Sequence, residues 1–123
     1  MGESKLKGIA PIFQVADVQR ALDYYTRVLG FSIEWSVGEP PTHASVSRDS
    51  VEISLTREAA PTPSRVYIEV DGIDEYFARI TAAGALVKVP LADRPYGMRD
   101  GRVDDADGNA IQLGEPLSPG PDS

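Results

Sequence analysis

Apolar residues recur at helical spacing in two stretches of the chain. In the first, Val18, Ala21, Leu22, Tyr25, Val28 and Leu29 form one stripe. Asp17 precedes it as an N-cap and Gly30 follows as a stop. In the second, Ile73, Tyr76, Phe77 and Ile80 repeat the pattern, with Asp71 or Gly72 at the start and a stop near Gly84. Around these helices the period changes to two. Val51, Ile53 and Leu55 alternate with Glu52, Ser54 and Thr56, and Val66, Ile68 and Val70 alternate with Arg65, Tyr67 and Glu69. Ile111 and Leu113 alternate with Ala110, Gln112 and Gly114. Such segments predict strands with one face on helices and the other partly polar. Asp107-Gly108-Asn109 is a hairpin signal before the last strand.

The two stretches are copies. A shift of 55 places lays Val15 on Val70, Val18 on Ile73, Leu22 on Phe77 and Tyr25 on Ile80. Each copy reads β-α-β-β-β, which predicts an α+β fold: two tandem modules forming a curved mixed-sheet cup with helices outside. The expected division is an N-terminal extension over 1–8, one domain over 9–115 (modules 9–57 and 65–115) and a flexible tail over 116–123. The Ala- and Pro-rich Glu58–Ser64 joins the modules. A sheet whose concave side carries polar side chains is an expected pocket.

Composition narrows the function. The 123 residues suit one domain, and 41% hydrophobic with 25% charged residues suits a globular chain. Lys and Arg number 12 against 19 Asp and Glu, a net charge of −7, so a general nucleic-acid binder is not expected. A neutral or cationic partner fits better. With no cysteine, thiolate metal sites and cysteine nucleophiles are excluded. No apolar run approaches the roughly 20 residues of a membrane helix. Met1–Gly8 lacks a signal-peptide core, so the cytoplasm is the expected location.

The front segment, V-x-D-V-x-x-A-x-x-Y-Y-x-x-V-L-G-F over Val15–Phe31, and the D-x-D-G-N-x-I segment over Asp105–Ile111 resemble the vicinal oxygen chelate superfamily. That group includes glyoxalase I, extradiol dioxygenases and bleomycin-resistance proteins. The resemblance covers roughly Ile9 to Leu113, and it implies metal ligands of His, Glu or Gln type on four strands. The matching positions here hold Ala10, Ser54, Arg65 and Gln112. Alanine has no donor atom, arginine has no lone pair, and serine is a weak ligand when neutral. A catalytic metal site needs about three good protein ligands. No metal or other cofactor is therefore expected. A displaced oxygen site from Gln14, Glu52, Glu69 and Gln112 is the alternative. It would suit a metal-dependent glyoxalase-like lyase, isomerase or dioxygenase.

The metal-free branch of the resemblance is the bleomycin-resistance proteins. Arg94-Pro95-Tyr96-Gly97-Met98-Arg99 resembles their Pro-Trp-Gly-x-Arg stretch, and His43–Asp49 resembles a segment that begins with Phe. In that group the two aromatics are implied to sandwich a flat drug, which puts His43 and Tyr96 in those places. The expected function is non-catalytic sequestration of a small, flat molecule, neutral or cationic, such as a bleomycin-type antibiotic, by a homodimer. A scaffold role without a specific ligand is a third reading. The expected ligand-binding residues are His43, Tyr96, Gln14, Glu52, Ser54, Arg65, Tyr67, Glu69 and Gln112, with Arg65 free to pair with a carboxylate. No nucleophile–base pair stands out, because His43 is the lone histidine. Trp35 is expected to pack in the core or at a dimer interface. At least one of Tyr24 and Tyr25 is expected in the core. Asp104, Asp105 and Asp107 are expected to form a solvated turn rather than a calcium loop.

Overall fold

The computed structural model describes residues 2–118; the tail beyond Ser118, expected to be flexible, lies outside them. Both modules have the expected order. The first runs β1 (Ile12–Val15), α1 (Val18–Asp23) with a π-helical turn (Tyr24–Val28), β2 (Ser32–Val37), β3 (His43–Arg48) and β4 (Val51–Arg57). The second runs β5 (Arg65–Glu69), α2 (Ile73–Ala82), β6 (Leu86–Asp93), β7 (Met98–Asp104) and β8 (Ala110–Pro116). Each module makes its own four-stranded mixed sheet, in the orders β1-β4-β3-β2 and β5-β8-β7-β6. In both, the first strand pairs parallel with the last and the remaining pairs are antiparallel. Among the described residues no helix is long and apolar enough to cross a membrane.

The helices form where the stripes place them. The Asp17 side chain accepts the Arg20 N–H at 3.0 Å, so α1 starts on its expected cap. Gly72 caps α2 with φ +74°, and the Glu115 carboxylate accepts the N–H groups of Gly72 and Ile73. The pairs related by the repeat are buried together: Val18 with Ile73, Leu22 with Phe77, Tyr25 with Ile80. The first module has one more residue between cap and glycine stop than the second, and the π turn absorbs it.

One apolar cluster runs through both modules. Tyrosines lock them together. Tyr25 is fully buried and donates to Asp105 at 2.9 Å, while Tyr24 donates to the Asp104 carbonyl and Tyr76 to that of Leu29. This corrects the expected solvated aspartate turn, because Asp104 and Asp105 are buried. Asp105 accepts from Tyr25, from the backbone of Asp107 and Asn109, and from Asn109 Nδ2, which uses up its lone pairs. The carboxylate thus replaces the water that an exposed turn would bind. Trp35, expected in the core or at a dimer interface, is 47% exposed on β2, so it is not a core residue of this chain.

Candidate functional site

Alternation fixes what each sheet shows on the face away from its helices. In the first module, Gln14, His43, Ser45, Ser47, Glu52 and Ser54 face outward, opposite the buried Phe13, Ala44, Val46, Ile53 and Leu55. Glu52 accepts from Ser45 at 2.5 Å, and Glu34 accepts from Ser47. Gln14 accepts the Thr62 N–H, and His43 is exposed with Nδ1 3.1 Å from Thr42 Oγ1. In the second module the outward set is Arg65, Tyr67 and Glu69 on β5, Gln112 and Gly114 on β8, and Asp100 and Arg102 on β7.

The second face carries a built concavity of about 200 Å³, lined by Arg65, Val89, Arg94, Tyr96, Asp100, Gly101, Arg102 and Gln112. Its hub is Asp100, a residue that sequence reasoning missed. The Asp100 side chain is only 2% exposed and pairs with Arg94 at 2.9 Å. Tyr96 donates to it at 2.7 Å, Tyr67 at 3.1 Å and Gln112 at 3.4 Å. Burial pushes this carboxyl up, but the Tyr96, Arg94 and Tyr67 donors more than offset that and hold it below the usual carboxylate range. The reciprocal effect acts on the phenols. Tyr67 is pushed up to about 12 by loss of solvent and by its bond to Asp100. Tyr96 is raised chiefly by its bond to Asp100.

Tyr67 reaches Asp100 diagonally. It pairs with Gln112 across β5–β8, whereas Asp100 pairs with Gly114 across β7–β8. A Cβ at Gly114 would run into the Tyr67 hydroxyl, so the glycine leaves the path open. Tyr96 lies just before β7 and is 62% exposed, so its ring meets solvent while its hydroxyl is tethered. The Tyr96 hydroxyl is thus tied to the same carboxylate that Arg94, Tyr67 and Gln112 bond, and Val89 lines the same concavity.

Four of the nine expected site residues meet at this hub: Arg65, Tyr67, Tyr96 and Gln112. Gln14, His43, Glu52 and Ser54 lie on the other sheet. Glu69 lines a separate cavity of about 400 Å³ between the modules, with Phe31, Ile68, Val70 and Tyr76 among its walls. Arg65, free to pair with a carboxylate, donates instead to Gln112 Oε1 at 2.9 Å. Asp100 and Arg102 had one sequence signal, their period-two placement with Met98 before the final hairpin.

The residues at the implied metal positions do not fit a metal. Ala10 lies in the irregular segment before β1. Arg65 puts a fixed positive charge there, and Gln112, the best donor of the four, already accepts from that guanidinium. Of the displaced oxygen donors, Gln14 and Glu52 lie on the first sheet and Glu69 and Gln112 on the second, and among the described residues no three His, Cys, Asp or Glu side chains are grouped to hold an ion.

A family model described as the Glyoxalase/Bleomycin resistance protein/Dioxygenase superfamily matches residues 8–113. None of the curated protein sequences matches the chain. Among solved structures, TioX from Micromonospora sp. ML1 is 28% identical with a TM-score of 0.80, covering 90% of this chain and 99% of its own. A bleomycin-binding protein complexed with bleomycin is 15% identical with a TM-score of 0.77, covering 89% and 98%. A lactoylglutathione lyase from Agrobacterium tumefaciens is 18% identical with a TM-score of 0.73, covering 91% and 96%. The last two likenesses are of fold alone.

Proposed function

As a member of the Glyoxalase/Bleomycin resistance protein/Dioxygenase superfamily, this chain has a fold that serves enzymes and binders alike, and we propose that it is a binder. Its ligand is a small flat molecule, such as a bleomycin-type antibiotic, sequestered without being transformed. The observation that carries this reading is the Tyr96 ring, exposed yet pinned through its hydroxyl to Asp100 beside Val89. A held aromatic face is a stacking surface, and little ordering remains to be done when a flat ring lands on it. The donor set described above gives no support to metal chemistry, and the lone histidine is exposed and bonded to a threonine rather than to a nucleophile–acid pair. The bleomycin-binding protein of the same fold makes bleomycin the first compound to try.

The ligand site is a half-cup that a second copy of the chain completes. A concavity of about 200 Å³ is smaller than the roughly 300–1,000 Å³ of ordinary small-molecule sites. Apolar side chains stand open on both outward faces: Ile12, Trp35 and Val37 on the first sheet, Tyr67, Val89 and Tyr96 on the second. Covering them with a copy of the chain brings the first-sheet face, with His43, Glu34 and Glu52, over the second-sheet hub of a partner. The test is a calorimetric titration with bleomycin, run beside sedimentation equilibrium. Saturable binding to a dimer is expected, weakened about fivefold or more by Tyr96→Ala. Equal affinity in wild type and Tyr96→Ala would remove the site assignment.

A further inference from the structure

The protein carries a net charge of −7, yet its second-module concavity is lined by three arginines and one aspartate. Two of the arginines are matched. Arg94 pairs with Asp100 at 2.9 Å, and Arg102 makes a two-pronged pair with Asp104 at 2.8 and 3.0 Å. Arg65 is not matched: it is exposed, and its protein partner is the neutral Gln112. One positive charge is therefore left over in the cup, against the sign of the whole molecule.

We propose that Arg65 is an anion-recognition residue: the flat ligand carries a carboxylate or an equivalent planar oxyanion, and that group docks on the Arg65 guanidinium. This deepens the binder reading and rests on it. A guanidinium has five N–H donors, and the bond to Gln112 uses one. The remaining donors include pairs spaced for the two oxygens of a carboxylate. Gln112 fixes the orientation. Its Oε1 accepts from Arg65 while its Nε2 points to Asp100 Oδ2 at 3.4 Å, so a reversed amide would set donor against donor at Arg65 and acceptor against acceptor at Asp100. Through Gln112 the charge of Arg65 is joined by hydrogen bonds to the Asp100 hub that holds the Tyr96 hydroxyl.

The test uses three isosteric probes: 2-naphthoate, 2-naphthamide and 2-naphthylmethylammonium, titrated by naphthalene fluorescence at low salt. Wild-type protein is expected to bind 2-naphthoate about tenfold tighter than the neutral amide, and the cation more weakly than either. Arg65→Gln should erase the preference for naphthoate while leaving naphthamide binding unchanged, and added salt should shrink it. Tyr96→Ala should weaken naphthoate and naphthamide alike. Equal binding of naphthoate and naphthamide in wild type, with Tyr96→Ala still lowering both, would overturn the anion proposal and leave the binder reading standing. Tightest binding of the ammonium probe would also overturn it. No binding of any probe, or binding indifferent to Tyr96→Ala, would overturn both.

Discussion

Replacing Asp100 with asparagine removes one charge from the hub while keeping its shape. The carboxylate serves donors on both sides: Arg94 Nε on Oδ1, and Tyr67, Tyr96 and Gln112 on Oδ2. An asparagine has one oxygen to offer. If that oxygen faces the tyrosines, its NH₂ meets the Arg94 N–H; if it faces Arg94, the tyrosine hydroxyls must turn and accept instead. A hydrogen bond to a charged group contributes about 1.5–3 kcal/mol. Arg94 is 25% exposed and recovers part of its loss from water. A net destabilisation of about 2 kcal/mol is expected, or roughly 8 °C in Tm for a domain of this size. The sign with pH follows from the direction of the carboxyl's shift. A carboxyl held below its unfolded value contributes stability that is complete above about pH 4 and fades as pH falls through the folded value. The gap between wild type and Asp100→Asn should therefore be full at pH 7 and narrow in acid below about pH 4. Thermal unfolding of both proteins from pH 2.5 to 8 measures it. A Tm equal to wild type at pH 7, or a gap that widens in acid, would refute the hub.

Other expectations are narrower. All five tyrosine hydroxyls donate to a protein acceptor and all five phenols are raised, Tyr67 to about 12, so alkaline titration at 295 nm should show no ionisation step near pH 10 while the fold persists. Raised phenols contribute stability that is present below about pH 10 and lost as pH climbs through their folded values; a normal step near pH 10 in folded protein would contradict this. Gly114→Ala should displace the Tyr67 hydroxyl from Asp100. Tyr67 is half exposed and can swing outward, so Tm should change little while the Tyr67 phenol falls toward its ordinary value. Tyr25→Phe keeps the edge-on contacts with Tyr24 and Phe31 but drops the buried bond to Asp105; denaturant melts should show a loss of about 1.5–2 kcal/mol.

Local signals in the chain carried most of the fold. The 55-residue repeat, the Asp17 cap, the Gly30 and Gly84 stops and the Asp107-Gly108-Asn109 hairpin all rest on residues whose backbone demands are short-range. The site was legible only by halves. Tyr67, Arg65 and Gln112 follow from strand alternation, and Tyr96 from its place between Pro95 and Gly97. Asp100 does not, because its role depends on sheet order: β8 lies between β5 and β7, and Gly114 leaves room for Tyr67 to cross. The Asp104–Asp107 turn misled for a related reason. Its aspartates look solvent-bound until Tyr24 and Tyr25, some eighty residues away, are packed on them. Trp35 looked apolar enough for the core, yet it sits opposite Ser45 on β2, on the face away from the helices.

The most direct measurement is a map of backbone amide shifts during titration of the wild-type protein with bleomycin. The expected result is shifts centred on Tyr96, Gly101, Arg102 and Gln112, with smaller ones at His43 and Glu52 as the partner copy covers the ligand. Shifts confined to Phe31, Val70 and Tyr76, around the cavity between the modules, would contradict the assignment, as would a spectrum that bleomycin leaves unchanged.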